Sequence, residues 1–381
     1  MRILVIIHEY PPLGGGGGHV ARDICRGLAK LGHEVHVLTA HFKGLPYQED
    51  AGGLQIERLA SARQSPFRAG LLTMSGFIAA STLAGWRHVR AWRPDILHVH
   101  FAVPSGPVAL FLSRIYQIPY VLTAHLGDVP GGVPEKTGRW FRWIYPFTPP
   151  IWKSAAQVVA VSEYTRQLAL HNYPVDIQVI HNGVELEYLE PSQLEVGKPP
   201  RIAFAGRFMP QKNPLQLVDT LAELQHLEWE CVLIGDGPLR PDIEQKIHQH
   251  ALEGRFTLPG WVAPEEVDAW FARSDILFMP SLSEGLPVTG TQALAKGLAI
   301  VASRVGGFID LVDQGENGYL IDLDDPAGFT TALTVLLSNR QRLQTFRQAS
   351  LSKAHNFNIE NISRAYEALF FQIIGKRQKT A

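Results

Sequence analysis

Cysteine is scarce in this chain. There are two in 381 residues, Cys25 and Cys231, one in each half. Both stand in apolar stretches, so a disulfide framework is excluded and a reducing compartment, the cytoplasm, is the expectation. Net charge is nearly absent too, at −1. Residues 1–190 carry 17 basic and 14 acidic side chains, and residues 191–381 carry 18 and 22. Nothing in that balance asks for a nucleic-acid partner. The chain lacks a Walker motif, a G-x-S-x-G elbow and any Cys/His zinc spacing. The string Asp322-Leu323-Asp324 lies beside Asp325 in a late acidic loop and reads as a solvated turn, so no metal site is expected. Long hydrophobic runs are rare. The 18 uncharged residues between Arg68 and Arg87 reach the lower limit for a membrane span. Thr73, Ser75, Ser81, Thr82 and three glycines favour a core helix instead, with Leu71, Leu72, Met74, Phe77 and Ile78 on its buried face. The opening MRILVIIHEYPP has no basic stretch before its apolar residues and reads as a strand and a turn, not a signal peptide.

What is present is alternation. Apolar, β-rich runs recur at RILVIIH, EVHVLTA, LQIERLA, ILHVHF, YVLTAH, QVVAVS and IQVIHNG, with helical stretches between several of them. From His19 to Gly32, Val20, Ile24, Leu28 and Leu31 mark one helical face and Gly32 a stop. A polar stretch from Glu187 to Pro200 reads as a linker, after which RIAFAG, CVLIG, FTLPG, DILFMP, AIVAS and GYLI restart the pattern. Near-continuous apolar strands separated by helices imply parallel sheets covered on both faces. Two doubly wound halves of similar size imply ligands at the strand carboxyl ends, in a cleft between domains.

Several strand ends carry chemistry. The glycines 14–18 follow the first strand and precede a helix, where backbone N–H groups favour an anion, though the spacing is not a dinucleotide fingerprint. In AGRFMPQKNPLQL, Arg207 follows a strand and Lys212 precedes Asn213-Pro214, a helix start with Asn as cap. Two cations there suggest a diphosphate partner. Gly235-Asp236-Gly237-Pro238 is a tight turn after a strand and a candidate nucleotide contact. Glu284 opens a loop, Glu284-Gly285-Leu286-Pro287, ahead of a helix from Val288 that carries Gln292 two turns in. A carboxylate at a strand end is suited to gripping sugar hydroxyls. His100 and His125 each end a strand, with Asp128 three residues beyond the second.

In this order and spacing, the segments PPLGG, GHEV, TAHLGD, VSEYTR, HNGVE, AGRFMPQK, LIGDGP, SEGLPVTGTQALAKGLAIVASRVGG and NGYLI resemble the retaining glycosyltransferases of family 4, over nearly the whole chain. The resemblance implies a GT-B fold, two Rossmann-like domains facing across a cleft, here residues 1–185 for the acceptor and 186–362 for the nucleotide sugar. It also implies a terminal helix, about 363–381, packed back on the first domain. It implies transfer of a hexose from a UDP- or GDP-linked donor to a hydroxyl acceptor, with the anomeric configuration kept, no metal and no further cofactor. Arg207 and Lys212 would hold the diphosphate and offset the leaving-group charge. Gly14 and Gly15 fall on the family's glycine pair near the phosphates, His125 on the histidine facing the reacting sugar, and Glu284 on the first acid of an E-x7-E pattern. Gly235, Asp236 and the run Gly285 to Val288 complete the expected donor contacts. Gln292 replaces the second glutamate, so its bond to the ribose would lose charge assistance. Asp310 stands where the family often has Glu. A front-face mechanism is implied, with the leaving phosphate taking the acceptor proton and His125 positioning groups or stabilising charge.

On the acceptor side, His100, Asp128 and Trp140 are the candidate residues. Residues 136–153, KTGRWFRWIYPFTPPIWK, mix aromatic and basic side chains. That composition suits a membrane interface or a lipid-linked acceptor, and equally an aromatic pocket for a glycan or small molecule. An epimerase acting on a nucleotide sugar and a catalytically silent sugar-nucleotide-binding subunit are the alternative readings.

Overall fold

The structure is a computed structural model that describes residues 1–65, 69–133, 141–187, 189 and 191–380. It forms two units, residues 1–183 with 359–381, and residues 184–358.

The first unit is built on β1 (Arg2–Ile6), β2 (Glu34–Ala40), β3 (Gln48–Asp50), β4 (Leu54–Leu59), β5 (Ile96–His100), β6 (Tyr120–Ala124), β7 (Gln157–Ala160) and β8 (Ile177–Val179). They form one sheet in the order β3-β4-β2-β1-β5-β6-β7-β8. Every pairing is parallel except β3 with β4. The seven parallel strands coincide with the apolar runs, and β1, β5 and β6 are buried almost throughout because helices cover both faces. β3 has no counterpart in those runs. Its sequence is Gln-Glu-Asp, and as an edge strand it needs no apolar face.

The second unit carries β9 (Arg201–Ala205), β10 (Glu230–Ile234), β11 (Phe256–Gly260), β12 (Ile276–Met279), β13 (Ala299–Ser303) and β14 (Gly318–Ile321). All are parallel, in the order β11-β10-β9-β12-β13-β14. Pro259 is tolerated in β11 because that strand lies on an edge. In each unit the strand order reverses beside the first strand, at β2-β1-β5 and at β10-β9-β12. Such reversals leave a crevice at the strand carboxyl ends where ligands bind.

Three local expectations are corrected. The first helix runs Gly16–Lys30, so it starts inside the glycine run and not at His19. It ends as expected at Gly32, which takes a left-handed φ of +86°. The helix Leu71–Trp92 buries Thr73, Phe77, Ser81, Ala84, Gly85 and Val89. Leu71 and Leu72, expected inside, are 62% and 72% exposed. The buried stripe is small because the helix Ser105–Tyr116 lies so close that a Cβ on Gly85 would stand 2.6 Å from Leu112. The hydroxyls of Ser81 and Thr82 are satisfied by carbonyls of their own helix, at Phe77 and Ile78. Asn213 precedes the helix Pro214–Glu223 but makes no side-chain cap. It occupies the left-handed region, φ +50°, which Asn tolerates better than most residues.

The helix Ile359–Thr380 belongs to the first unit. Ile362, Tyr366, Leu369 and Phe370 are buried, and Gly27 lets Ser363 approach the first helix. Glu367 bonds His33 at 2.8 Å.

Candidate active site

In the second unit the reversal point carries Arg207, Lys212 and Glu284 on the loops after β9 and β12. Arg207 leaves the end of β9 between two pinned neighbours. Gly206 N–H donates to Ile234 O and Phe208 N–H to Asp236 O, each at 2.9 Å. Gly235 must be glycine for this, since a Cβ there would stand 2.0 Å from Gly206 O. Asp236 turns its carboxylate to the Gly237 N–H and to Arg240. The Arg207 guanidinium has no side-chain partner among the described residues and is partly exposed.

Lys212 reaches across from the β9 loop to the β12 loop, where its Nζ lies 2.6 Å from Glu284 Oε1. Gln211 ties the same two loops twice, by Leu282 N–H to its carbonyl at 2.8 Å and by its Nε2–H to Ser283 O at 2.9 Å. Glu284 is buried. Its loop rests on Gly306 and Gly307 after β13, whose Cβ positions fall 1.8 Å from Glu284 O and 2.3 Å from Gly285 O. Leu286 is buried, Pro287 precedes the helix, and Val288 opens it without a side-chain cap. An ammonium has three donors, so Lys212 can keep Glu284 and still meet a second anion.

Gln292 points elsewhere than toward that loop. Its Nε2–H donates to Asp268 Oδ1 at 3.1 Å, and Asp268 comes from the helix Pro264–Phe271. Burial raises the Asp268 carboxyl, with Lys296 acting against it.

In the first unit the reversal point holds aromatic and imidazole rings. His100 and His125 end β5 and β6, and His100 Nδ1 lies 3.4 Å from His125 Nε2. The Asp128 N–H donates to the His125 carbonyl oxygen at 2.9 Å. Asp128 is a brace. Its two oxygens accept from Ala102 N–H at 2.8 Å and His125 N–H at 2.9 Å, joining the ends of β5 and β6. Burial pushes its carboxyl up to about 7 against these donors. Burial also lowers His8 and His125 to about 4, His98 to about 3, and His100 well below its ordinary value. His98 continues the row through Thr123 Oγ1 at 2.9 Å to the Tyr366 hydroxyl at 3.1 Å.

Residues 14–188 match the model of Glycosyltransferase Family 4, and residues 199–339 match that of Glycosyl transferases group 1. The chain belongs to these glycosyltransferases. It is 28% identical to 2-deoxystreptamine glucosyltransferase of Streptomyces kanamyceticus over 319 residues, 76% of this chain and 81% of that protein. It is 29% identical to D-inositol 3-phosphate glycosyltransferase of Corynebacterium efficiens, over 92% of this chain and 89% of that one. In fold it matches sucrose-phosphate synthase of Thermosynechococcus elongatus, with a TM-score of 0.84, 20% identity, and 98% and 99% of the two chains covered. It also matches Anabaena HepE in complex with UDP-glucose, with a TM-score of 0.75, 19% identity, and 100% of both chains covered.

For this glycosyltransferase the structure brings Lys212 and Glu284 into contact and sets Arg207 on the adjoining strand end. It does not bring Gln292 to them. His100 is fully buried, and Asp128 nearly so, with each engaged inside the first unit. Trp140 lies outside the described residues. Gly14, φ +88°, is explained by packing, since a Cβ there would meet Glu9, while Gly15 caps the first helix by position only. Sequence reasoning passed over Glu9, Arg63, Phe101 and Asp268. Only Glu9 and Phe101 left a trace, each a few residues beyond or at a strand end. The Asp322-Leu323-Asp324 string is an exposed turn in which Asp322 pairs with Arg304, while Asp325 caps the helix Pro326–Leu337.

Proposed function

We propose that this glycosyltransferase takes a hexose from a nucleoside-diphosphate sugar, retains its anomeric configuration, and does so without a metal ion. One observation carries the reading. At the β9/β12 reversal Arg207, whose guanidinium has no side-chain partner among the described residues, follows Gly206, against which Lys212 packs while it pairs with Glu284. The guanidinium and ammonium would hold the diphosphate and stabilise the charge that develops as it leaves, the task a metal performs elsewhere. Glu284 would accept hydrogen bonds from donor-sugar hydroxyls while Lys212 keeps it compensated. Burial lowers His125 to about 4 and makes it a weak base, which supports a front-face route in which the departing phosphate takes the acceptor proton. UDP is the nucleotide to try first, since the structural neighbour HepE holds UDP-glucose; GDP-linked sugars are the alternative.

Calorimetric titration with UDP, GDP and their hexoses, with and without EDTA, tests this reading. UDP binding unaffected by chelation, lost in Arg207→Ala, is expected. Binding that needs a divalent cation would rule out the metal-free route. Proton NMR of the first-formed product reports the anomer.

The acceptor is a hydroxyl compound, and the first unit is proposed to meet a membrane surface when that acceptor is lipid-linked. Trp143 and Phe147 are 81% and 74% exposed, and Lys153, six residues after Phe147, is exposed as well. No helix among the described residues is long and apolar enough to cross a membrane. Both thiols are buried and unpaired, in keeping with a cytoplasmic setting. Sedimentation with anionic vesicles at low salt should carry the protein down, and Trp143→Ala should abolish it. No binding would end the membrane proposal.

A further inference from the structure

A line of buried polar side chains crosses the first unit, from the helix Ile359–Thr380 to the glycine run. On that helix Tyr366 and Phe370 lie one turn apart on the inner face. Both pack on His98, with ring centroids 5.0 and 5.3 Å away. The Tyr366 hydroxyl lies 3.1 Å from Thr123 Oγ1, and that same oxygen lies 2.9 Å from His98 Nε2. His98 and His100 point to one face of β5, and their rings are 4.3 Å apart. His100 Nδ1 lies 3.4 Å from His125 Nε2. His125 then borders the glycine run. Phe101 stacks on it at 4.4 Å, and a Cβ on Gly17 would stand 3.4 Å from its Cε1 and 2.6 Å from the Phe101 ring.

Packing alone does not account for imidazoles in this place. Tyr366, Thr123, His98 and His100 are all enclosed, at 1% exposure or less. An enclosed imidazole gives up its water, and His98 Nδ1 and His100 Nε2 recover no hydrogen bond among the described residues. Leucine or phenylalanine would fill the same space without that cost. What an imidazole adds is direction. Burial keeps His98, His100 and His125 neutral. A neutral ring has one N–H and one bare nitrogen, so the contact between His100 and His125 has a single donor, and the tautomer of one ring dictates that of the other. The Thr123 hydroxyl likewise has one proton, and whether it points to His98 or to Tyr366 settles the tautomer of His98.

We infer that Tyr366, Thr123, His98 and His100 are positioning residues for His125, and that through them the helix Ile359–Thr380 fixes the tilt and the tautomer of the ring bordering the glycine run. The inference rests on the glycosyl-transfer reading, in which His125 faces the reacting sugar. None of the four touches a substrate, and each acts through its neighbour: Tyr366 and Thr123 by hydrogen bonds, His98 by its ring against His100, His100 by its bond to His125.

The test uses the full-length protein with isotope-labelled histidine, whose ring-nitrogen NMR shifts report tautomer and hydrogen bonding. Tyr366→Phe removes one hydroxyl and keeps the ring that packs on His98. It should move the ring-nitrogen shifts of His125 as well as those of His98. It should also lower kcat for UDP-glucose, followed as UDP release, by about tenfold while KM and the urea midpoint stay near those of the wild type. Thr123→Val should act in the same way, and Thr123→Ser should restore both readings. His125 shifts unmoved by Tyr366→Phe overturn the inference, as does an unchanged kcat in that variant or a loss in Thr123→Val that Thr123→Ser does not restore. Tyr366→Phe decides alone where Thr123→Val does not fold. A wild type that releases no UDP from UDP-glucose strikes the donor reading, and the His125 shifts then still decide the positioning.

Discussion

Arg207, at a strand end and without a carboxylate partner among the described residues, is the residue whose removal should cost most in turnover and least in stability. Arg207→Ala is expected to lower kcat by about 10²–10³-fold with an unchanged urea midpoint. Lys212→Ala should do both kinds of damage, because it leaves buried Glu284 uncompensated. A loss of about 2 kcal/mol in unfolding free energy is expected alongside the loss of turnover. Gln292 behaves differently from what its position in the sequence suggests. Placing glutamate there would set a second carboxylate against Asp268, whose carboxyl burial already raises. Gln292→Glu should therefore cost about 1 kcal/mol of stability at pH 8 without tightening UDP. Adding Asp268→Asn should restore the loss, and additive losses in urea melts would sink that account. Buried imidazoles give a pH signature. His8 is neutral in the folded chain down to about pH 4 but takes a proton near 6.5 when unfolded. Its contribution to stability is thus present above pH 6.5 and lost as pH falls toward 4, by about 1.4 kcal/mol per pH unit. Urea melts of wild type and His8→Gln should diverge by that slope across this window.

Among elements, the strands were the most legible because their apolar runs are continuous, as parallel strands covered on both faces require. The polar edge strand β3 was not, since pairing at an edge leaves no periodic mark. In the helix Leu71–Trp92, Phe77 is buried and Ile78 packs on the core as expected, but Leu71 and Leu72 are exposed. Close helix packing selected Ser81, Ala84 and Gly85 for the interior, and small residues carry little signal in a single sequence. The loops after β9, β12 and β13 act together through contacts between residues far apart in the chain. Gly306→Ala should disrupt them, with φ +57° and Glu284 O in the way, costing at least about 2 kcal/mol and most of the activity. Gly315→Ala, at φ +80° with nothing near, should cost only about 1 kcal/mol and leave turnover intact. Equal effects from the two would show that backbone strain alone matters.

For the whole molecule, the chain order and the folded units disagree, because residues 359–381 complete the first unit after the second has been built. Deleting them should expose the apolar surface against which Tyr366 and Phe370 pack and unfold residues 1–183, while the second sheet keeps slow hydrogen exchange. Retained protection in β1 and β5 would contradict this. The amino-acid sequence by itself determined two parallel α/β units, the glycine turns and the family, because periodicity, backbone permissiveness and ordered motifs are local properties of the chain. The stretch 187–200, read as a linker, is instead part of the second unit, where Arg340 and Arg347 hold its carbonyls. Tertiary structure alone decided that Lys212 meets Glu284, that Gln292 turns to Asp268, that His100 and Asp128 are enclosed, and that Glu9 and Phe101 flank the glycine run. Each of these depends on which strand ends and helices become neighbours in the folded unit, and no short stretch of sequence encodes that.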